Sequence, residues 1–200
     1  MTQPATLLAV FAHPDDESLA IGGTLLLGES LLVTRDHAGA EQAARGLLQR
    51  GLTGDAAWRG QYLLGRVLLA ANRPAEALNE ATNLVRRAEA PALRAEAFAL
   101  HGAVLEKLGD LPGAVNVFTN NFSTNAPAEL RQRALAKVVD LGLAQTNRTA
   151  STIALLEQFS AEFPADAAQD FVQRWLGDLK LREAQTLIVS TNTPTARTNL

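Results

Sequence analysis

A glycine that recurs at a nearly constant interval is the feature that most restricts how this chain can fold. The glycines are Gly28, Gly65, Gly102, Gly142 and Gly177, separated by steps of 37, 37, 40 and 35 residues. An alanine follows each of the first four glycines after 12 residues, at Ala40, Ala77, Ala114 and Ala154. A fixed period of this length is typical of proteins in which each repeat stacks on its neighbours.

The residues around the glycines predict helices, and the residues after them predict turns. Apolar residues recur with the 3.6-residue helical period in segments such as "AAWRGQYLLGRVLLAAN". Turn-forming residues separate each glycine from its alanine, in "TRDHAG", "NRPAE", "GDLPG" and "TNRTAS". Each unit is therefore predicted to be an antiparallel helical hairpin, whose small glycine and alanine let the two helices approach closely. The predicted fold class is all-α, a stack of such hairpins.

The residues repeated in these units resemble the tetratricopeptide repeat family, whose pattern is W-x2-L-G-x2-Y, then A-x3-F, then P. The closest copy is "FALHGAVLEKLGDLPGAVNVF", which has Phe98, Gly102, Leu105, Gly109, Ala114 and Phe118 in place. The resemblance covers residues 24–185, and it implies an α-solenoid that acts as a protein-interaction scaffold. An unrelated alanine-rich helical bundle is the alternative.

The two ends of the chain do not follow the repeat. Residues 186–200 include the Thr/Asn-rich "VSTNTPTARTNL", which has no apolar periodicity, and we expect this tail to be disordered. Residues 1–23 are expected to form a short irregular or strand-like extension that leads into the first repeat helix. The chain is thus predicted to consist of an extension, a repeat domain over 24–185 and a tail.

The extension contains "AHPDDE", which suggests a metal site. His13, Asp15, Asp16 and the residues around them resemble the amino terminus of the PIG-L/LmbE family of zinc-dependent N-deacetylases, which act on N-acetylglucosamine conjugates. The resemblance implies that His13 and Asp16 bind zinc and that Asp15 is the base that deprotonates a zinc-bound water. The alternative is structural: Asp15 or Asp16 caps a helix, and acidic residues favour its first turn.

A complete deacetylase site is not expected, because catalytic zinc usually has three protein ligands. The third ligand of the family comes from a distal H-x-x-H element, which this sequence lacks. The remaining histidines, His37 and His101, lie in a predicted turn and in a predicted packing position. We therefore predict no cofactor and no enzyme, unless one of these histidines or a second chain completes a zinc site. A junction of two genes near Gly22-Gly23 would also explain the motif.

Charge and composition restrict the partners. The formal net charge is −3, and the basic residues are dispersed among acidic ones, so a nucleic-acid partner is not expected. There is no cysteine, which excludes disulfides and thiolate metal sites. The apolar run of residues 7–12 is too short for a membrane span or a signal sequence, so we expect a cytoplasmic protein without a membrane partner.

The repeat register also predicts a binding surface. First helices are expected to line a concave wall that binds a peptide or a partner protein. The predicted wall residues include Arg59, Tyr62 and Arg66 in one unit, Glu96, Ala99, Ala103 and Lys107 in the next, and Val139 and Leu143 in a third. A solvated helix face without a ligand is the alternative for these residues.

Overall fold

The fold was analysed in a computed structural model, which describes residues 14–123, 125–145 and 147–191; for residues 14–18 and 189–191 it describes only the backbone. The described residues are almost entirely helical and include no strand. The helices are α1 (Pro14–Val33), α2 (His37–Gln49), α3 (Gly54–Ala70), α4 (Pro74–Arg87), α5 (Pro91–Leu108), α6 (Leu111–Thr119), α7 (Ala128–Leu143), α8 (Thr149–Glu162) and α9 (Gln169–Thr191). A 3-10 turn (Asn120–Phe122) follows α6. The prediction of an all-α fold is confirmed.

The turns after α1, α3 and α5 have the same backbone structure at the same repeat position. Each contains a left-handed residue: Arg35 (φ 64°), Asn72 (φ 60°) and Gly109 (φ 83°). The amide of that residue donates to a carbonyl three residues back, in Arg35–Leu32, Asn72–Leu69 and Gly109–Glu106. The next amide donates to a carbonyl five residues back, in Asp36–Leu31, Arg73–Leu68 and Asp110–Leu105. This pairing closes the C-terminus of a helix and turns the chain sharply into the next one.

Local sequence explains where the helices begin. Asp36 caps α2, because its side chain accepts a hydrogen bond from the Gly39 amide at 3.0 Å. Pro74 and Pro91 are the first residues of α4 and α5, where a proline costs no intrahelical hydrogen bond. Each of the four turn segments predicted from the sequence includes the start of a helix, at His37, Pro74, Leu111 and Thr149.

The chain divides into two compact units, residues 1–110 and residues 111–200. In the first unit each of the helices α1 to α4 packs against the next helix, and α3 also contacts α1 and α5. Its core contains Trp58, Leu63, Val67, Leu84 and Val104. In the second unit α6 packs against α7, α7 against α8 and α8 against α9, around a core that contains Leu135, Val139, Leu156, Phe159 and Leu179.

The glycines of the first two repeats receive a leucine of the following repeat. A Cβ atom at Gly28 would lie 2.5 Å from Leu63 Cδ2, and one at Gly65 would lie 2.9 Å from Leu100 Cδ2. The sequence predicted that these glycines make room for the other helix of their own hairpin. The structure shows this approach, with Ala43 Cβ of α2 and Glu80 Cβ of α4 each 3.6 Å from the added Cβ, but the tightest approach comes from the first helix of the next repeat. The paired alanines behave as expected, because Ala40, Ala77 and Ala114 are fully buried.

The second unit departs from the repeat register. Ala154 is exposed, although its position predicted a buried crossing point. Gly142 instead contacts Thr152, whose side chain occupies the space that a Cβ atom would need. Apart from the backbone of its own helix, no described atom lies within 4 Å of the position that a Cβ at Gly177 would take. The 40-residue step that leads to Gly142 therefore coincides with a hairpin contact at Thr152 instead of at the predicted Ala154.

The helices at both ends extend beyond the predicted repeat domain. Helix α1 begins at Pro14, so residues 14–23 are helical where an irregular or strand-like extension was expected. Helix α9 continues to Thr191, so residues 186–191 are helical where disorder was expected. The predictions for residues 1–13 and 192–200 lie outside the described residues. Among the helices described, none is both long and apolar enough to cross a membrane.

Candidate functional site

Ion pairs join the predicted wall residues of α3 to the first helices of the two adjacent repeats. Arg59 of α3 contacts Glu96 of α5, with Nη1 and Oε2 at 3.0 Å. Arg66 of α3 contacts Glu29 of α1, with Nη1 and Oε1 at 2.5 Å. Both pairs join residues that are 37 positions apart, the same interval as the repeat. We call these four residues the ladder; they hold α1, α3 and α5 in a matched register.

Tyr62 lies between the two arginines of the ladder and is only half-exposed. Its ring stacks on Trp58 at a centroid distance of 5.1 Å and an interplanar angle of 14°. The guanidinium of Arg66 lies 5.7 Å from the Tyr62 ring centroid, and that of Arg59 lies 5.6 Å from the Trp58 ring centroid. Burial raises the pKa of the Tyr62 phenol above its usual value. The wall is thus an ordered layer of paired charges and stacked rings.

The other predicted wall residues differ from this group. Lys107 is exposed in the last turn of α5, and the ion pairs of the ladder do not include it. Val139 is fully buried in the core of the second unit, and Leu143 packs against that core. The prediction that Val139 lines the wall is therefore wrong, because its side chain is packed in the core of the second unit. The structure brings Arg59, Tyr62, Arg66 and Glu96 together.

A cleft of about 530 Å3 lies beside the ladder, at the N-terminal ends of α3 and α5 and the C-terminal end of α4. We call it the α3–α5 cleft. Its lining residues are Gly54, Asp55, Trp58, Arg86, Arg87, Glu89, Ala90 and Leu93. Trp58 is 3% exposed and its indole N–H donates to the Leu84 carbonyl at 3.2 Å, so it forms a fixed part of the base.

The charges of the α3–α5 cleft are balanced, and some of them are held in place. Arg87 donates to the buried Gln61 side chain at 3.0 Å, and Gln61 donates to Glu80 at 2.9 Å. Arg86 and Glu89 are exposed. The cleft therefore offers both signs of charge around Trp58 and Leu93. Sequence reasoning missed it, although the charged run "RRAEAP" between two predicted helices marks its rim.

The two histidines considered as further zinc ligands lie in separate places. His37 is the first residue of α2 and lines a second cleft, of about 580 Å3, together with Arg35 and Arg66. His101 is half-buried in α5, and this burial lowers the pKa of its imidazole. The described side chains include no group of three His, Cys, Asp or Glu residues that could hold a metal ion.

The "AHPDDE" motif spans the start of α1. His13 lies outside the described residues, while Asp15 and Asp16 belong to the first turn of α1, where only their backbone is described. Acidic residues in a first helical turn interact favourably with the helix dipole. The helical start is the outcome that the structural alternative predicted, and the roles of His13, Asp15 and Asp16 in zinc chemistry stay a prediction.

We predict that the chain binds zinc weakly at best and releases no acetate from N-acetylglucosamine conjugates, because a third ligand has no visible source. Metal analysis of the purified chain and an acetate-release assay check this. The double variant His13→Ala/Asp16→Ala should match the wild type in both measurements. One tightly held zinc per chain, with acetate release that the double variant loses, would instead establish the deacetylase.

Comparison with protein-family models, with curated proteins and with solved structures finds no match to this chain. The resemblances to tetratricopeptide repeats and to the PIG-L/LmbE family therefore depend on the residues of this sequence that carry them.

Proposed function

We propose that this protein is a helical-repeat scaffold of the tetratricopeptide type, located in the cytoplasm, which binds a peptide or partner protein. The observation that carries the proposal is the α3–α5 cleft beside the ladder. Its volume of about 530 Å3 lies within the range of clefts that accommodate ligands. The recurring turns and the 37-residue ion pairs of the first unit support the repeat assignment.

The lining of the cleft defines the chemistry of the partner. Trp58 closes the base of the cleft and Leu93 is partly buried beside it, so the two form an apolar floor for one inserted side chain. Arg86 and Glu89 on the rim match a segment that carries an acidic and a basic residue on either side of that side chain. Because the cleft charges are balanced, a partner with only one sign of charge fits less well than a mixed one.

The ladder supports this site by keeping its floor rigid. Arg59 contacts both Glu96 and the Trp58 ring, so it connects the cleft to the neighbouring helix. A floor that is ordered before binding loses little conformational entropy when a partner binds. In this proposal the ladder positions the site, and the exposed rim residues Arg86 and Glu89 contact the partner.

We expect Arg86→Glu to weaken binding of the partner at least about tenfold, which corresponds to about 1.4 kcal/mol. The partner is first identified by cross-linking from a photoreactive residue at Glu89, and its Kd is then measured by titration calorimetry. Arg50→Glu is the matched control, because Arg50 is an exposed residue at the end of α2 that does not line the cleft. Equal Kd values for Arg86→Glu, Arg50→Glu and the wild type would place the binding site elsewhere.

A further inference from the structure

The contacts between repeats in the first unit follow one rule. The leucine that lies two residues before a repeat glycine packs on the glycine of the preceding repeat. Leu63 packs on Gly28 in this way, and Leu100 packs on Gly65. Both leucines are buried, with exposed fractions of 1% and 5%. The first helix of a repeat thus presents a leucine backward to the preceding repeat and a glycine forward to the following repeat.

Helix α1 carries the same backward-facing residues without a described neighbour against them. Leu26 occupies the position of Leu63 and is 72% exposed, and Leu27 occupies the position of Leu64 and is 52% exposed, whereas Leu64 is 2% exposed. Leu19 and Val33 lie seven residues before and after Leu26, on the same side of the helix, and are 71% and 79% exposed. An exposed apolar stripe of this length marks an interaction surface.

Helix α9 carries the repeat glycine Gly177, and the space beside it is open. Apart from the backbone of its own helix, no described atom lies within 4 Å of the position of a Cβ at Gly177, in contrast to Gly28 and Gly65. Leu181, Ala184 and Ile188 follow Gly177 at helical spacing and are exposed, with fractions of 58% for Leu181 and for Ile188. The α9 stripe, Gly177 to Ile188, therefore offers open surface at a glycine, flanked by apolar side chains, against which a leucine can pack.

We propose that copies of this chain associate head to tail, with the α1 stripe of one copy packed on the α9 stripe of the next. Leu26 of one copy then enters the space at Gly177 of the other, as Leu63 does at Gly28. The second copy is the occupant, because one chain carries both halves of the repeat contact, each of them exposed. The two surfaces differ, so the contact is heterologous and can extend beyond a dimer.

Sedimentation velocity of the full-length chain tests this proposal over a wide range of concentration. The wild type is expected to grow in mass as the concentration rises, beyond the mass of a dimer. Leu26→Asp and Leu181→Asp should each stay monomeric, because a buried, unpaired carboxylate is costly in an apolar contact. Leu108→Asp is the matched control, since Leu108 is an exposed leucine (43%) outside both stripes, and it should associate as the wild type does.

Mixing the two defective variants distinguishes head-to-tail contact from the alternatives. The Leu26→Asp chain keeps an intact α9 stripe and the Leu181→Asp chain keeps an intact α1 stripe, so an equimolar mixture should form a heterodimer and nothing larger. An α1-to-α1 contact would leave Leu181→Asp associating alone, and an α9-to-α9 contact would leave Leu26→Asp associating alone. Either of those results, or a wild type that stays monomeric at every concentration, overturns the proposal. Far-UV circular dichroism of each variant confirms that it is folded.

Discussion

Arg131→Ala is expected to lower the free energy of unfolding of the second unit by about 3–5 kcal/mol, because it leaves a buried charge without its partner. Arg131 Nη2 lies 2.6 Å from Asp166 Oδ2, and the two side chains are 12% and 10% exposed. Arg131 Nη1 also donates to the carbonyls of Ser123 and Ala126, both at 3.0 Å. The substitution thus removes the guanidinium that pairs with Asp166 and donates to the carbonyls of Ser123 and Ala126. It leaves the Asp166 carboxylate largely desolvated and without this cation.

Hydrogen exchange measured by mass spectrometry checks this effect separately for each unit. Exchange should accelerate in peptides from α7, α8 and α9 of Arg131→Ala and stay unchanged in peptides from α3 and α4. Arg133→Ala is the matched control, because Arg133 lies on the same helix and is exposed, so its loss is expected to cost less than about 0.5 kcal/mol. If the two variants exchange at equal rates, the Arg131–Asp166 pair does not stabilise the unit.

Gly142→Ala is expected to destabilise the second unit by about 1–3 kcal/mol, because the added methyl group overpacks the contact between α7 and α8. A Cβ at Gly142 would lie 3.0 Å from both Cβ and Cγ2 of Thr152 and would be closer still to its hydroxyl. Gly177→Ala should instead raise the stability of the second unit, because that position is open and alanine favours a helix over glycine by up to about 1 kcal/mol.

Urea unfolding followed by far-UV circular dichroism measures both substitutions on the same helical scaffold. The double variant Gly142→Ala/Thr152→Ala should recover most of the lost stability, because it removes the side chain that the new methyl group meets. Among the described hydrogen bonds, the Thr152 hydroxyl donates to the carbonyl of Arg148, the N-cap residue of α8, at 2.9 Å, so the loss of this local bond has little cost by itself. Equal changes in stability for Gly142→Ala and Gly177→Ala would show that the α7–α8 contact is not tight.

Local features of the sequence were sufficient to predict the helices and the turns between them. The capping side chain of Asp36, the initial prolines of α4 and α5, and the left-handed Gly109 all act within a few residues of their own position. Their effect on the backbone depends little on the rest of the chain, so a pattern of such residues predicts the structure directly. The start of α1 stayed open although Pro14, Asp15 and Asp16 carry such a signal, because the same residues also resemble a zinc-binding motif. The residues at the end of α9 lack a signal of this kind.

The candidate site could be predicted only in part. The repeat register placed Arg59, Tyr62, Arg66 and Glu96 on one surface, and they do lie together in the structure. The register could not show that Arg59 and Arg66 form ion pairs along that surface, since pairing depends on the distance between adjacent helices. It also could not show the α3–α5 cleft, which forms where the start of α3 lies beside the junction between α4 and α5.

By itself the sequence determined the helical class of this protein, the position of each turn and the 37-residue interval that relates its first helices, because these follow from short-range backbone and side-chain preferences. Only the tertiary structure decided which neighbour fills the space at each glycine. Leu63 fills it at Gly28 and Thr152 fills it at Gly142, while the space at Gly177 stays open. The physical reason is that a glycine allows another helix to approach closely, whereas the packing of whole helices decides which helix approaches.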